Sequence, residues 1–241
     1  MTKQNIYYMN DYTKLAQIHL LGIFIVDPIG DTRLRKALSQ EQPDAITIGI
    51  SEKLVEYFDG EWLSDQMAKL QSYNGLNPTV KNFIEYQIQN IYRFPVTVSK
   101  EYAQSRGIPV HFIGEVEDVD KMKKTIRAPN MSSSEQINTT STKEKMMRDA
   151  QIRYRTYQRW FSNPSYQSHL QMNEFVQSVF PDDPHREVVT AKNLTTLAHS
   201  ISGKIVHITD AALLTDDIRE QSLYERIKQL KPTRNTIADY M

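Results

Sequence analysis

Three carboxylates hold the clearest prospect of chemistry in this sequence. Asp27, Glu115 and Asp210 each come just after a short apolar run that reads as a β-strand. In open α/β sheets, ligands bind beyond the carboxyl ends of the strands. Carboxylates gathered there could hold a hard cation such as Mg²⁺ through oxygen ligands. Arg186 could stand beside them and grip an anionic group with both guanidinium nitrogens. A plainer reading of the same residues is local. Asp27 caps a helix, Asp210 caps the turn after its strand, and Glu115 sits in water. Caps are expected at such positions, so the plainer reading has more weight.

A second group lies on a segment with helical periodicity, residues 143–161. Met146, Ala150, Tyr154, Tyr157 and Phe161 fall on one stripe, and Arg148, Arg155 and Arg159 on another, with Lys145 and Arg153 at the flanks. Basic and aromatic residues together suit nucleic acid or an acidic protein surface. They also suit a helix that packs its aromatic face and leaves its arginines in water. Arg, Tyr, Trp and Met are the residues enriched at protein interfaces. Arg148, Tyr154, Arg155, Arg159 and Trp160 are therefore the candidate partner-binding residues.

Other chemistries find no motif. His19, His111, His169, His185, His199 and His207 include no pair at i,i+4 and no His-Glu-x-x-His. His111 and His207 fall mid-strand, where a hydrogen-bonded structural histidine is the default. There is no Gly-x-Gly-x-x-Gly, no phosphate loop and no nucleophile elbow. No catalytic residue, resident metal or cofactor is assigned.

The apolar pattern defines the scaffold that carries these residues. Residues 18–26, 45–50, 108–113 and 204–209 are nearly continuous apolar runs, as expected for strands covered on both faces. Helical segments separate them. The expected fold is α/β, with a mainly parallel central sheet, helices on both faces and a helical insertion before the last strand. Asp27-Pro28 should open the first helix, with Asp31 as an alternative cap. Ser51 should cap the second and Gly60 stop it, and Gly107 should end the helix before the third strand. Residues 1–127 would form the first part of the core, and 128–142, rich in Ser, Thr and Asn, a flexible linker. Residues 143–202 would form the helical insertion. Residues 203–241 would supply the last strand and a C-terminal helix, with an irregular tail from Pro232.

Composition narrows the class further. The 241 residues are 39% hydrophobic and 24% charged, which excludes a disordered chain. Lys and Arg total 29 and so do Asp and Glu, so no chain-wide basic footprint for nucleic acid exists. A near-neutral chain associates more readily, which favours a protein partner. No cysteine is present, which removes disulfides, thiolate zinc sites, iron–sulfur clusters and cysteine nucleophiles together. No signal-peptide core opens the chain, and no apolar run approaches the ~20 residues that span a bilayer. A cytoplasmic protein without a membrane span is expected.

The ordered series of partial motifs resembles the TraB family, which groups with the TIKI metalloproteases and ChaN-like proteins. In that family the first strand runs into Gly-x-x-His. A helix, a Pro-Asp pair and a strand ending in glutamate come next. A later helix carries an Arg motif, and the last strand delivers a second Gly-x-x-His. Here Leu20-Leu21-Gly22 matches the approach to the first motif, but Ile25 holds the histidine position. Pro43-Asp44 matches, but Gly49 holds the glutamate position. His185-Arg186-Glu187 and Ala191 match the helical motif. Asp210 and Leu213 replace the glycine and histidine of the last motif. Gly107 and Gly114-Glu115 fit the frame around the third strand. The likeness runs over residues 20–234, interrupted by the Ser/Thr-rich segment.

Histidine and glutamate at strand ends can bind a metal that activates water, and these are the positions this chain has lost. The resemblance thus implies a pseudoenzyme: a non-catalytic, TraB-like scaffold or interaction protein, a component of a complex with a protein partner. One alternative is a metal-dependent hydrolase rewired through Asp27, Glu115 and Asp210 with Arg186. The other is nucleic-acid binding through residues 143–161, which the zero net charge disfavours.

Overall fold

The computed structural model describes residues 15–24, 27–73, 77–86, 88–89, 93–114, 139–162, 184–214 and 222–240. Its centre is a five-stranded sheet of β1 (Gln17–Ile23), β2 (Ala45–Ile48), β3 (Val110–Phe112), β4 (Lys204–Asp210) and β5 (Thr233–Thr236). The strand order is β3-β2-β4-β1-β5, and every pairing is parallel. The α/β class and the parallel sheet match the pattern of buried apolar runs.

Around the sheet lie α1 (Gly30–Glu41), α2 (Glu52–Tyr57), α3 (Leu63–Ser72), α4 (Pro78–Tyr86) and α5 (Phe94–Arg106). Later in the chain come α6 (Thr139–Ser162), α7 (Pro184–Ser200) and α8 (Leu223–Ile227). Side chains alternate across a strand, so β1, β2 and β4 each feed two cores. Leu21, Ile23, Ile46, Ile48, Val206 and Ile208 pack on one face against Leu34 and Leu38 of α1, Phe94 and Val98 of α5, and Tyr154 of α6. Ile18, Leu20, Ala45 and Ile205 pack on the other, against Leu194 of α7 and Leu223 and Ile227 of α8. Thus α6 and α7, both lying between β3 and β4 in the chain, cover opposite faces of the same sheet.

Five strands replace the four expected. The tail expected after Pro232 is β5, which pairs His19↔Thr233 through Gly22↔Thr236 along β1. Thr233-Arg-Asn-Thr has no apolar residue, and only Thr236 is buried. An edge strand buries little and is identified by its hydrogen bonds, not by hydrophobicity. Pro232 stands immediately before it, a position where the missing N–H breaks no ladder bond. β4 is therefore not the last strand, and 203–241 holds two strands with α8 between them.

Two helix boundaries also move. Asp27 does not cap α1. Its Oδ1 accepts from the N–H of Ile29 at 3.1 Å, turning the chain, and α1 starts at Gly30 without a side-chain cap. A Cβ at Gly30 would lie 2.7 Å from the Phe94 ring, so only glycine lets α1 begin this close to α5. Gly60 does not stop α2; the chain passes through a π-helical turn at Phe58–Trp62 straight into α3. Ser51 does cap α2, accepting from Leu54 N at 3.2 Å, and Gly107 ends α5 at φ +67°. Of the expected linker, 128–138 lies outside the described residues, while 139–142 open α6. Residues 115–127 of the expected first part of the core and 163–183 of the expected helical insertion also lie outside the described residues. No helix among those described is long and apolar enough to cross a membrane.

Candidate functional site

β1 and β4 end level with each other at Ile23↔Asp210, so the segments leaving both strands gather at one edge of the sheet. Asp27 stands there but does not face an open site. It is 1% exposed, and Arg33 Nη1 of α1 donates to its Oδ2 at 2.6 Å. The Tyr154 hydroxyl of α6 donates to the same oxygen at 3.2 Å while accepting from the Phe24 N–H at 2.9 Å. Arg33, itself 4% exposed, sends Nη2 to Gln151 Oε1 at 3.2 Å and lies 5.4 Å from the Tyr154 ring centroid. Burial, then the neighbouring Asp27 charge, pushes the Tyr154 phenol well above its usual range. The phenol therefore remains a donor. A buried ion pair survives only when its remaining donors and acceptors are satisfied. These contacts supply that satisfaction and close the edge over β1.

Of the other predicted pocket residues, only Asp210 has a described side chain. Glu115 lies outside the described residues, and so does the side chain of Arg186 in the first turn of α7. Asp210 ends β4, half-buried. Among the described residues no group of three His, Asp or Glu side chains is placed to hold a metal ion.

The described positions that were compared with the family motifs read as packing. Leu213 lies in the 3₁₀ turn Ala211–Leu214, half-buried against the α7–α8 core. A Cβ at Gly22 would come within 2.9 Å of Ala211 Cβ, so β1 needs glycine there to admit the turn after β4. A Cβ at Gly49 would stand 3.1 Å from Thr209 Oγ1 and 3.5 Å from His207 Nε2. Ile25 lies outside the described residues. His207 is fully buried, and its Nδ1 pairs with Thr47 Oγ1 at 2.9 Å. His111 shares the same rung of the sheet.

The outer face of α6 has a different character. Arg148, Arg155 and Arg159 are exposed and make no ion pair among the described residues. Ile152, 55% exposed, falls between them. The spacing 148, 152, 155, 159 keeps to one helix face, so these four form a single basic and apolar stripe. Tyr154 does not belong to it. It is completely buried with Ala150 on the opposite face, which removes it from the candidate partner contacts. The side chain of Trp160 lies outside the described residues. Gln151 and Gln158 fix the helix to the domain, the latter donating to Asp239 and, at 3.3 Å, to Thr236 Oγ1.

A further constellation, at the amino edge of the sheet, has no counterpart in the sequence motifs. Glu41 of α1 accepts from Lys204 Nζ through one oxygen and from the Tyr240 hydroxyl through the other. The same hydroxyl contacts His19 Nε2 at 2.9 Å, and His19 Nδ1 contacts Thr233 Oγ1 at 2.7 Å. Tyr240 has one proton and gives it to Glu41. His19 Nε2 must then carry the ring hydrogen, and Nδ1 accepts from Thr233. Burial holds the His19 imidazole below its usual pKa, against the pull of Glu41 at 3.8 Å. Burial alone would raise the Glu41 carboxyl; the bonds from Lys204 and Tyr240 overcome it and leave the group below its usual range. Burial, and then the bond to Glu41, raises the Tyr240 phenol. These five side chains come from α1, β4, the last turn, β1 and β5.

No protein-family model, no curated protein and no solved structure matches this chain.

Proposed function

We propose that the chain is a non-catalytic, TraB-like interaction protein whose outer α6 face binds an acidic surface on a protein partner. The observation that carries this reading is the sealed Asp27. At the edge where an open α/β sheet would present a ligand group, that carboxylate is fully engaged by Arg33, Tyr154 and the Ile29 N–H. The helix that seals it offers Arg148, Arg155, Arg159 and Ile152 to the outside. Isolated cations around an apolar centre suit an acidic partner, because charge complementarity steers encounter and the apolar contact lengthens residence. A rewired hydrolase is the weaker reading, since its first ligand would have to leave a buried ion pair. The same reading puts the protein in a reducing compartment such as the cytoplasm, where a chain without cysteine loses nothing.

The test is a tagged full-length chain and its Arg155→Glu/Arg159→Glu variant, compared by affinity capture and quantitative mass spectrometry. A stoichiometric partner with an acidic surface should be captured by the first and lost from the second, and its binding in isolation should weaken with salt. Equal capture by both chains would sink the assignment of the face. Low-salt shifts of mixed-sequence nucleic acid, abolished by the same variant, would replace the protein partner with nucleic acid. Zinc or manganese purifying at one per chain would refute the non-catalytic reading.

A further inference from the structure

A cleft of about 940 Å³ opens at the amino edge of the sheet, beside β1, β4 and β5. Its volume lies in the range of small-molecule sites, roughly 300–1,000 Å³. His19, Glu41 and Lys204 line it, with Leu15 and Leu230 as apolar wall and Lys231 among the remaining lining residues.

The floor is hydrogen-bonded throughout and its donors can be counted. Both oxygens of Glu41 and both ring nitrogens of His19 are engaged. Lys204 gives one hydrogen bond to Glu41, and an ammonium has three N–H groups, so two remain for a ligand. The Lys204 and Glu41 charges offset each other. Lys231 is exposed and makes no ion pair among the described residues, so the lining is left net positive. Arg234 also lines the cleft, with its guanidinium engaged 3.6 Å from the Tyr224 ring centroid and its Nη1 on Leu214 O at 2.7 Å. Its charge adds to the positive potential.

Lys231 is also an oddity of backbone. It ends a 3₁₀ turn in the left-handed region, at φ +52°, where glycine is the favoured residue. The chain therefore keeps a charged side chain at the cleft where local stability favours none. Leu15, 44% exposed, is one of the few large apolar side chains the described surface shows.

We propose that this cleft is a binding site for an organic anion with an apolar body, its charged end held by Lys204 and Lys231 and its body against Leu15 and Leu230. The site is distinct from the α6 face and stands whether or not that face has a partner.

Calorimetric titration of the full chain with octanoate, 1-octanol and inorganic phosphate at matched ionic strength tests it. Octanoate should bind tighter than either of the others, since only it has both parts. Lys231→Gly should weaken octanoate about threefold or more, as one partly exposed charge contact does. It should leave the octanol titration unmoved and not lower thermal stability, because glycine relieves the positive φ. Lys231→Glu should weaken octanoate about tenfold or more, by adding repulsion. Leu15→Glu should also weaken it without unfolding the chain. Octanoate binding no tighter than 1-octanol or phosphate would overturn the proposal, as would unchanged octanoate affinity in the Lys231 variants.

Discussion

At the carboxyl edge of the sheet, Asp27, Arg33 and Tyr154 form an ion pair and a phenol at 1%, 4% and 0% exposure. At the amino edge, Glu41, Lys204, His19 and Tyr240 combine the same kinds of group, but their carboxylate–ammonium pair keeps 16% and 30% of its side-chain surface in solvent and borders a cleft. The chemistry is similar and the access to water differs. A sealed pair can serve only the fold, because a ligand would have to displace a buried charge. A pair that borders water keeps spare donors and can serve both fold and binding. Access to water, not the residue types, separates a structural knot from a candidate site here.

The contrast between the two ends is most vulnerable to Arg33→Ala. This change leaves the Asp27 charge buried with only a phenol and one N–H, which should cost about 3–5 kcal/mol. Urea unfolding would read this as a large drop in midpoint. A loss below about 1 kcal/mol would mean that water already reaches Asp27, and the closed edge would be wrong. Next in size is the matched pair Tyr154→Phe and Tyr240→Phe. The first strands a buried N–H at Phe24 and removes a bond to a charge, so about 1–3 kcal/mol should be lost. The second takes a donor from Glu41, which keeps Lys204 and 16% of its side-chain surface in solvent, so it should lose nearer ~1 kcal/mol. Equal losses would erase the distinction between the two ends.

How much of this is legible in the sequence depends on the same divide between local and distant signals. β1, β2 and β4 are readable because central parallel strands are apolar on both faces. β5 is not, because Thr233-Arg-Asn-Thr is held by its ladder with β1 and not by burial. The caps at Ser51 and Gly107 are readable because each is fixed within a few residues. Asp27 also looks like a cap, and nothing nearby in the chain says that Tyr154, 127 residues on, completes its bonds. The periodicity of α6 puts Ala150 and Tyr154 on one stripe, and only packing shows that this stripe faces inward. The amino-edge constellation spans 221 residues between His19 and Tyr240, so no local pattern could reveal it.

Acid separates the two ends more gently, and alkali acts on both. His19 has a folded pKa below its ordinary 6.5, so the unfolded chain takes up the proton first as pH falls. Its contribution is intact above about 6.5 and is lost as pH drops from there towards the folded value. Glu41, also depressed, adds a second loss as pH falls below about 4.5. Tyr240 and Tyr154 are both raised, so stability should fall again above about pH 10, where the unfolded phenols ionise first. Urea midpoints across this range should thus fall at both extremes. His19→Gln should flatten only the step that starts near 6.5. A wild-type midpoint that rises between pH 6.5 and 5 would contradict the buried neutral imidazole.

The smallest effect is the control that gives the others meaning. Arg35 Nη2 and Glu101 Oε2 lie 2.5 Å apart, closer than the 2.6 Å of Arg33 and Asp27. Judged by distance, the Arg35 pair should be the stronger. Both of its side chains are about half exposed, at 51% and 52%, whereas the Arg33 and Asp27 side chains are 5% and 0% exposed. Water and salt screen the first pair, and removing one partner leaves the other hydrated instead of stranded. Arg35→Ala should therefore cost no more than about 0.5 kcal/mol and should fade further in high salt. The Arg33→Ala loss should persist in high salt, since ions do not reach a sealed pair. If the two substitutions cost the same, contact distance rather than access to water would govern these pairs.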